Sequence, residues 1–206
     1  AAPDGYHPRI AGKPAGYLYH QLLNFKEGRR VYRPMVHMVQ PLSDAYLWAM
    51  AQHFAALELP YPPPVTVTTT PEGMRRGEQL ALHGDPKREI PPCIACHGER
   101  LTGVQPLVPG LLGLPRDYLN AQMGAWRAGT RRAHAPDCMG QIALRLEASD
   151  VSAVSGWLAS RPLPADPHPA PASAAVSPMK CGGVSPPEAA LAKPAASSPA
   201  AAGGVQ

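Results

Sequence analysis

An internal repeat constrains the fold of this chain more than any other feature of its sequence. PRIAGKPAGYLYHQLLNFKEGRR, which begins at Pro8, matches PGLLGLPRDYLNAQMGAWRAGTR, which begins at Pro109. The copies share Tyr, Leu, Gln, an aromatic residue, Gly and Arg at an offset of 101 residues. After a three-residue shift the register continues, and Met35 falls on Met139. A repeat of this kind predicts two copies of one supersecondary unit.

The pattern of helix signals predicts an all-α fold. Pro71 can open a helix at its first position, and Pro162 stops the last one, because proline fits only the first turn of a helix. Strand-like alternation is confined to the PYPPPVTVTTT segment at 60–70. The predicted helices are 15–26, 43–57, 71–82, 116–128 and 149–160.

Proline distribution divides the chain into four parts. The proline-dense segment at 60–70 is typical of an extended linker. Residues 162–206 are almost entirely Ala, Pro, Ser and Gly, so they are expected to form a disordered or extended tail. The predicted units are therefore a partial repeat at 1–59, the linker, a second unit at 71–161 and the tail.

Charge and hydropathy exclude several classes of protein. The net charge of +4 is modest, and the arginine pairs lack the interleaved aromatic residues of a single-strand nucleic-acid groove. These arginines are interpreted as a solvated surface or as a docking surface for an acidic redox partner. No apolar run is long enough to span a membrane. The start of the chain, Ala1 to Gly5, is similar to an end left by signal-peptide removal, which predicts a periplasmic location.

The sequence Cys93-Ile94-Ala95-Cys96-His97 has the C-x-x-C-H spacing of a haem c attachment site. Two thiols at this spacing can bond both vinyl groups of one porphyrin edge, and the adjacent histidine can reach the iron. A thioredoxin-like motif would need a βαβ context, which is absent from the pattern. A structural zinc site would need two more ligands at recognisable spacing. The motif therefore predicts one covalent haem c with His97 as an iron ligand.

From Pro71 to Leu158 the chain resembles a class I c-type cytochrome, with the haem motif, a Pro-x-Leu-x-Gly loop at Pro109 to Gly113 and a Tyr-Leu helix. The whole of 1–160 resembles the two-domain diheme cytochromes c of the c-four type. The resemblance implies that Met139, seven residues before Leu146, is the second iron ligand. A thioether opposite histidine raises the reduction potential. Met139 as core packing is the competing interpretation, and Met123 is a weaker candidate ligand.

Other family positions are interpreted as packing. Trp126 and Tyr118 are expected to line the haem crevice, with generic core packing as the alternative, and Pro109 opens the loop beside them. Gly77 and Trp157 match the place where the first and last helices of the family cross. The remaining histidines, which share no spacing, are treated as surface or core residues: His20, His37, His53, His83, His134 and His168.

The first repeat departs from the family pattern. The equivalent of the C-x-x-C-H motif would lie before Ala1, so it is absent from this sequence. Either the gene lost this motif and its helix, or the sequence begins downstream of them, and the start at Ala1 favours loss. Met35 would then have no iron to bind. The first repeat would be a haemless remnant that docks on the haem domain or on a partner, because half a domain buries little of its own surface.

Cys138 and Cys181 lie outside the haem motif. A disulfide between them would pin the tail over the methionine loop, and an exported protein favours such bonds. The alternative is two unrelated thiols.

The leading hypothesis for function is periplasmic electron transfer and not enzymatic catalysis. The partner would be either a larger periplasmic dehydrogenase, with this chain as its cytochrome subunit, or a membrane oxidase or respiratory complex served by a freely diffusing carrier. The long tail favours the subunit. A haem enzyme such as a peroxidase would need a replaceable iron ligand and a distal acid–base pair, for which His134 lacks an evident orienting carboxylate beyond Asp137.

Overall fold

The structure is a computed structural model that describes residues 7–64, 68–172 and 177–187, and it is mainly helical. A 3-10 turn at Pro86–Arg88 and a short antiparallel hairpin, β1 (Gly103–Val104) and β2 (Val108–Pro109), complete the regular structure of these residues. The predicted all-α class is confirmed. The helices are α1 (Ala15–Lys26), α2 (Arg33–Val39), α3 (Asp44–Ala55), α4 (Pro71–Leu82), α5 (Ile94–His97), α6 (Arg116–Arg127), α7 (Cys138–Arg145) and α8 (Ala148–Ser160).

The five predicted helices are all present. The bounds of α1 and α4 agree with the prediction, and α3, α6 and α8 differ from it by one or two residues at their ends. The short helices α2, α5 and α7 were not predicted, because four to eight residues give too little periodicity to recognise. In the predicted linker, residues 60–64 and 68–70 contain no helix or strand, and residues 65–67 lie outside the described part. The hairpin at 103–109 was not predicted.

The first repeat has its own apolar core. Helix α1 packs against α3 and α2, and the buried side chains include Leu23, Val39 and Leu47. Tyr19 and Trp48 meet edge to face, with ring centroids 5.5 Å apart, an arrangement that aromatic pairs prefer.

The second repeat forms a separate core around α8, which packs against both α4 and α6. The crossing of α4 and α8 depends on Gly77. A Cβ atom at this position would lie 2.4 Å from the carbonyl oxygen of Ala153 and 2.7 Å from Cβ of Trp157. The predicted crossing of Gly77 and Trp157 is therefore confirmed, since only glycine allows the two backbones to approach this closely.

The described part of the tail contains no helix, and near Ala170 it packs on the second repeat. Ala170 forms a parallel bridge with Val104, in which the amide of Gln105 donates to the Ala170 carbonyl at 2.8 Å and the Ala170 amide donates to the Gly103 carbonyl at 2.9 Å. The tail thus follows the hairpin that leaves the haem motif. Residues 173–176 and 188–206 lie outside the described part. Among the helices of the described residues, none has the length and apolar character needed to cross a membrane.

Candidate haem site

The C-x-x-C-H motif lies on a single short turn. Pro91 and Pro92 lead into α5, the His97 amide donates to the Cys93 carbonyl at 2.8 Å, and Gly98 ends the turn with φ of 82°. Both cysteines of the motif are free thiols. Burial raises the pKa of Cys93 to about 11 and also raises that of Cys96. The turn therefore presents two neutral thiols and one imidazole from adjacent positions.

The hydrogen bond of His97 fixes which ring nitrogen is available to a metal. His97 is buried, and its Nδ1 lies 2.7 Å from the carbonyl oxygen of Pro109 on β2. A carbonyl only accepts, so Nδ1 carries the proton and Nε2 keeps a free lone pair. Burial lowers the pKa of His97, which keeps the ring neutral. This is how metal-binding histidines are usually oriented, by a backbone acceptor on the other nitrogen.

The loop that carries Met139 is organised by Asp137. The Asp137 carboxylate caps α7 by accepting from the Gly140 amide at 2.9 Å. Its other oxygen accepts from the Ala133 amide at 2.7 Å and from the Trp126 indole at 3.2 Å. Met139 therefore lies in the first turn of α7, and the Asp137 carboxylate binds the backbone amides of Ala133 before it and of Gly140 after it.

Tyr118 and Trp126, which were expected at the crevice, lie on α6 and both contact arginines. The Tyr118 hydroxyl is buried and accepts from Nη2 of Arg30 at 3.3 Å. The guanidinium of Arg131 stacks on the Trp126 ring, 3.8 Å from its centroid, where a cation is favourable. Met123, also on α6, packs against the core of the second repeat.

Arg30 and Arg131 occupy equivalent positions in the two repeats, and they face each other across an antiparallel bridge. The bridge has local two-fold symmetry, because the Val31 amide donates to the Thr130 carbonyl and the Arg132 amide donates to the Arg29 carbonyl. The repeats therefore meet along the same segment of each copy.

Among the described residues, no carboxylate forms an ion pair with Arg30 or Arg131, so the pair carries a positive charge that is not neutralised there. Its hydrogen bonds go to the neutral side chains of Gln21, Gln122 and Tyr118. Burial lowers the pKa of Arg131, as does the charge of Arg30. Burial alone would raise the pKa of Tyr17, but the charges of Arg131 and Arg30 outweigh it and lower that pKa. The cluster is thus suited to an anionic group.

Cys138 and Cys181 form a disulfide, with their Cα atoms 5.4 Å apart. The predicted pairing is confirmed. The bond attaches the tail to the residue directly before Met139.

A cleft of about 540 Å³ lies between the segments that carry the two predicted iron ligands. One wall is formed by Pro91 and Pro92, directly before Cys93, and another by Gln141 and Arg145 of α7. Met179 of the tail closes a third side. Cys93, Cys96, His97 and Met139 themselves are not among the residues that line this cleft.

Some residues of the site were not predicted. Gln21 and Gln122, like the arginine pair, were visible as shared positions of the repeat, but sequence reasoning assigned them no role. Asp137 was considered only as a partner of His134, yet it caps α7. Among the histidines, His20 and His134 approach each other, with ring centroids 6.3 Å apart, and neither has the spacing of a motif.

A neutral, backbone-oriented histidine next to two free thiols, in a helical domain whose first and last helices cross at a glycine, defines a class I c-type cytochrome. No protein-family model matches the sequence. The chain is, however, 38% identical over 161 residues to the "Thiosulfate dehydrogenase electron acceptor" of Thiomonas intermedia (strain K12), covering 78% of this chain and 73% of that protein. It is 32% identical over 154 residues to "Cytochrome c4" of Thiocapsa roseopersicina, covering 73% of this chain and 77% of that protein. The chain therefore belongs to the family of cytochromes c4 and thiosulfate dehydrogenase electron acceptors.

A solved structure gives the same result. The chain is similar to thiosulfate dehydrogenase (TsdBA) from Marichromatium purpuratum, with a TM-score of 0.65 and 33% identity over 76% of this chain. It spans only 33% of that longer polypeptide. The resemblance drawn from the sequence is confirmed, haem c is the cofactor that the family implies, and the function is electron transfer, not catalysis.

Proposed function

We propose that the chain carries electrons through one haem c, which is bonded to Cys93 and Cys96 and has His97 and Met139 as iron ligands. The observation that carries this proposal is the hydrogen bond from Nδ1 of His97 to the Pro109 carbonyl, because it leaves Nε2 directed away from the backbone and free to bind iron. When bound, the haem supplies a one-electron couple between ferrous and ferric iron.

The residues of this chain fit that group in three respects. The two thiols are unpaired and lie on one turn with His97. A cleft nearby is lined by Pro91 and Pro92, directly before Cys93, and by Gln141, two residues after Met139. The guanidiniums of Arg30 and Arg131 form no ion pair with a carboxylate of the described residues, and haem propionates are anionic groups that arginine binds well. Tyr118 and Trp126 would help to hold the porphyrin from α6.

The proposed division of the chain follows its two cores. Residues 1–59 would form a partial repeat without a haem motif, 60–70 a linker, 71–161 the haem domain and 162–206 the tail. The separate apolar clusters of the two repeats support this division.

The proposed partner is a periplasmic dehydrogenase. One relative is named as the electron acceptor of a thiosulfate dehydrogenase, and the similar solved structure is itself a thiosulfate dehydrogenase. The Cys138–Cys181 disulfide supports export, because such bonds persist in oxidising compartments. A membrane oxidase or respiratory complex remains the alternative partner, served by free diffusion.

The first experiment is intact mass and reduced-minus-oxidised absorption of protein matured in a host with haem-attachment machinery. One haem per chain and the absorption band of methionine sulfur bound to ferric haem are expected. Met139→Leu should abolish that band and lower the reduction potential, whereas Met123→Leu should keep both. If Met123→Leu loses the band and Met139→Leu keeps it, the assignment of Met139 as the iron ligand is wrong.

The partner is tested separately. The reduced-haem spectrum should develop when catalytic amounts of a thiosulfate dehydrogenase and thiosulfate are added to the ferric protein. No reduction, together with rapid oxidation of the ferrous protein by a membrane oxidase preparation, would favour the freely diffusing carrier.

A further inference from the structure

We propose that residues 177–184, here called the strap, position the loop at 129–138 and so keep the sulfur of Met139 on the haem iron. This inference rests on the function proposed above and extends it to the tail. The strap contains no helix or strand, and it contacts the loop that leads into α7.

The strap is fixed to the loop at successive positions. Cys181 is bonded to Cys138, and the next residue, Gly182, donates its amide to the Pro136 carbonyl at 2.9 Å. A Cβ atom at Gly182 would lie 2.2 Å from the Ala135 carbonyl oxygen and 2.4 Å from that of His134. The two backbones are thus in direct contact, which only glycine permits.

The far end of the strap is held by the first repeat. Nε2 of His20, on α1, lies 2.8 Å from the carbonyl oxygen and 3.1 Å from the amide nitrogen of Val184. Gly183 packs against the same imidazole, since a Cβ atom there would lie 2.9 Å from its Cε1. The strap therefore spans from the methionine loop to α1.

The loop is consequently held from two sides. The first repeat binds it through the Arg29 carbonyl, which accepts from the Arg132 amide at 2.6 Å, and through the Val31 amide, which donates to the Thr130 carbonyl at 2.9 Å. The strap binds the opposite end, at 134–138. For the loop to open, either the strap must leave with it or its contacts must break.

The cross-link makes that opening less favourable. The bond joins residues 43 positions apart and so removes conformations that the open state would otherwise gain. Segments with few contacts open locally at little free-energy cost, and an uncrosslinked strap would be such a segment. Since Met139 directly follows Cys138, loop opening and loss of the sulfur ligand would be the same event.

The test uses the haem-loaded protein and the binding of imidazole to its ferric form, which requires Met139 to leave the iron. The first variant is the double substitution Cys138→Ser/Cys181→Ser. The second, Gly182→Ala, keeps the disulfide but displaces the strap from the loop. The matched control is Gly124→Ala, an exposed helix position where an added Cβ atom meets nothing within 4 Å.

Both strap variants should bind imidazole faster by about tenfold, which corresponds to about 1.4 kcal/mol of opening free energy. Both should also lose the methionine–sulfur absorption band at a lower temperature than the wild type, and Gly124→Ala should behave like the wild type. If the double variant fails to mature, the imidazole-binding rate of Gly182→Ala alone tests the proposal. If Gly182→Ala and any matured double variant bind imidazole at the wild-type rate, the proposed role of the strap is wrong. Absence of the band from the wild-type protein would instead overturn the proposed ligand set, and this inference with it.

Discussion

Arg30 and Arg131 each donate a hydrogen bond to the glutamine of the opposite repeat. Nη2 of Arg30 lies 2.8 Å from Oε1 of Gln122, and Nη2 of Arg131 lies 3.0 Å from Oε1 of Gln21. Each arginine also donates to the glutamine of its own repeat, at 3.0 Å and 2.7 Å respectively. The two repeats are thus related by a local two-fold axis where they meet, and the residues that form this contact are the same in both copies.

Gln21→Leu should therefore destabilise the holoprotein. Oε1 of Gln21 accepts from both arginines, and leucine leaves the buried Arg131 and the half-buried Arg30 without this acceptor. Hydrogen bonds to charged groups contribute about 1.5–3 kcal/mol, so the free energy of unfolding should fall by about 2 kcal/mol in guanidinium denaturation.

The two-fold relation supplies the matched variant. Gln122→Leu removes the equivalent acceptor and should cost a similar amount, whereas Gln52→Leu, at an exposed position of α3, should have little effect. A large loss in one glutamine variant and none in the other would contradict the symmetric account.

Much of this fold could be predicted from the sequence, because helix signals and the haem motif are local. Pro71, Pro162 and the C-x-x-C-H spacing each specify their structure within a few residues, whereas the crossing at Gly77 was predicted from the family resemblance. The contact between repeats could not be predicted, because a period of 101 residues shows that Gln21 and Arg30 recur but not that they face their own copies. The role of Asp137 depends likewise on Trp126, which reaches it through the tertiary fold.

Gly77→Ala should destabilise the haem domain. The added methyl group would meet the Ala153 carbonyl and Trp157 at distances shorter than van der Waals contact, so α4 and α8 must separate. Overpacking of this kind costs about 1–3 kcal/mol, which thermal unfolding of the holoprotein would detect.

The control for this prediction is again Gly124→Ala, where the new methyl group has free space inside a helix. Alanine is favoured over glycine in helices by about 0.5–1 kcal/mol, so this variant should be slightly more stable than the wild type. A Gly77→Ala protein as stable as Gly124→Ala would show that the helices do not cross at this point.

An exposed ion cluster should give the protein a small pH dependence near neutrality. Nδ1 of His168 lies 2.7 Å from the Asp166 carboxylate, and Nε2 lies 3.0 Å from that of Glu58. These contacts raise the pKa of His168, with Asp166 making the larger contribution, and His168 in turn is the main cause that lowers the pKa of Asp166 to about 2. The contacts join the tail to Glu58, in the segment that follows α3.

The sign follows from the raised pKa of His168. Its contribution to stability is complete below the unfolded pKa of about 6.5 and is lost as the pH rises through the higher folded value. The wild type should therefore lose slightly more stability than His168→Gln between about pH 6 and pH 8, less so in high salt. His37→Gln, at an exposed position of α2, is the comparison variant. Equal pH profiles for the wild type and His168→Gln would exclude the proposed contribution.

Asp150→Asn should be among the more damaging single substitutions in the haem domain. The buried Asp150 carboxylate accepts from Nε of Arg76 and from Nη1 of Arg88, both at 2.8 Å, and from the Glu147 amide at 3.1 Å. Burial alone would raise its pKa, but the hydrogen bonds from Arg88 and Arg76 outweigh it and hold the pKa below its ordinary value. Hydrogen bonds to a charged group contribute about 1.5–3 kcal/mol, and the substitution weakens those that Asp150 accepts from Arg76 and Arg88, whose side chains are 36% and 28% exposed.

The network links α8 to the turn that precedes the haem motif, since Arg76 and Arg88 also bind Asp85 at 2.9 Å and 3.0 Å. Glu147→Gln is the control: its side chain is 73% exposed, its contact with Arg88 is 3.3 Å long, and the amide of Gln retains an acceptor for the helix cap. This control should change stability by no more than about 0.5 kcal/mol. Because the folded pKa of Asp150 is depressed, the difference between the wild type and Asp150→Asn should be full above about pH 4 and should shrink as the pH falls below it. A difference that stays constant down to acid denaturation would show that the carboxylate charge makes no contribution to stability.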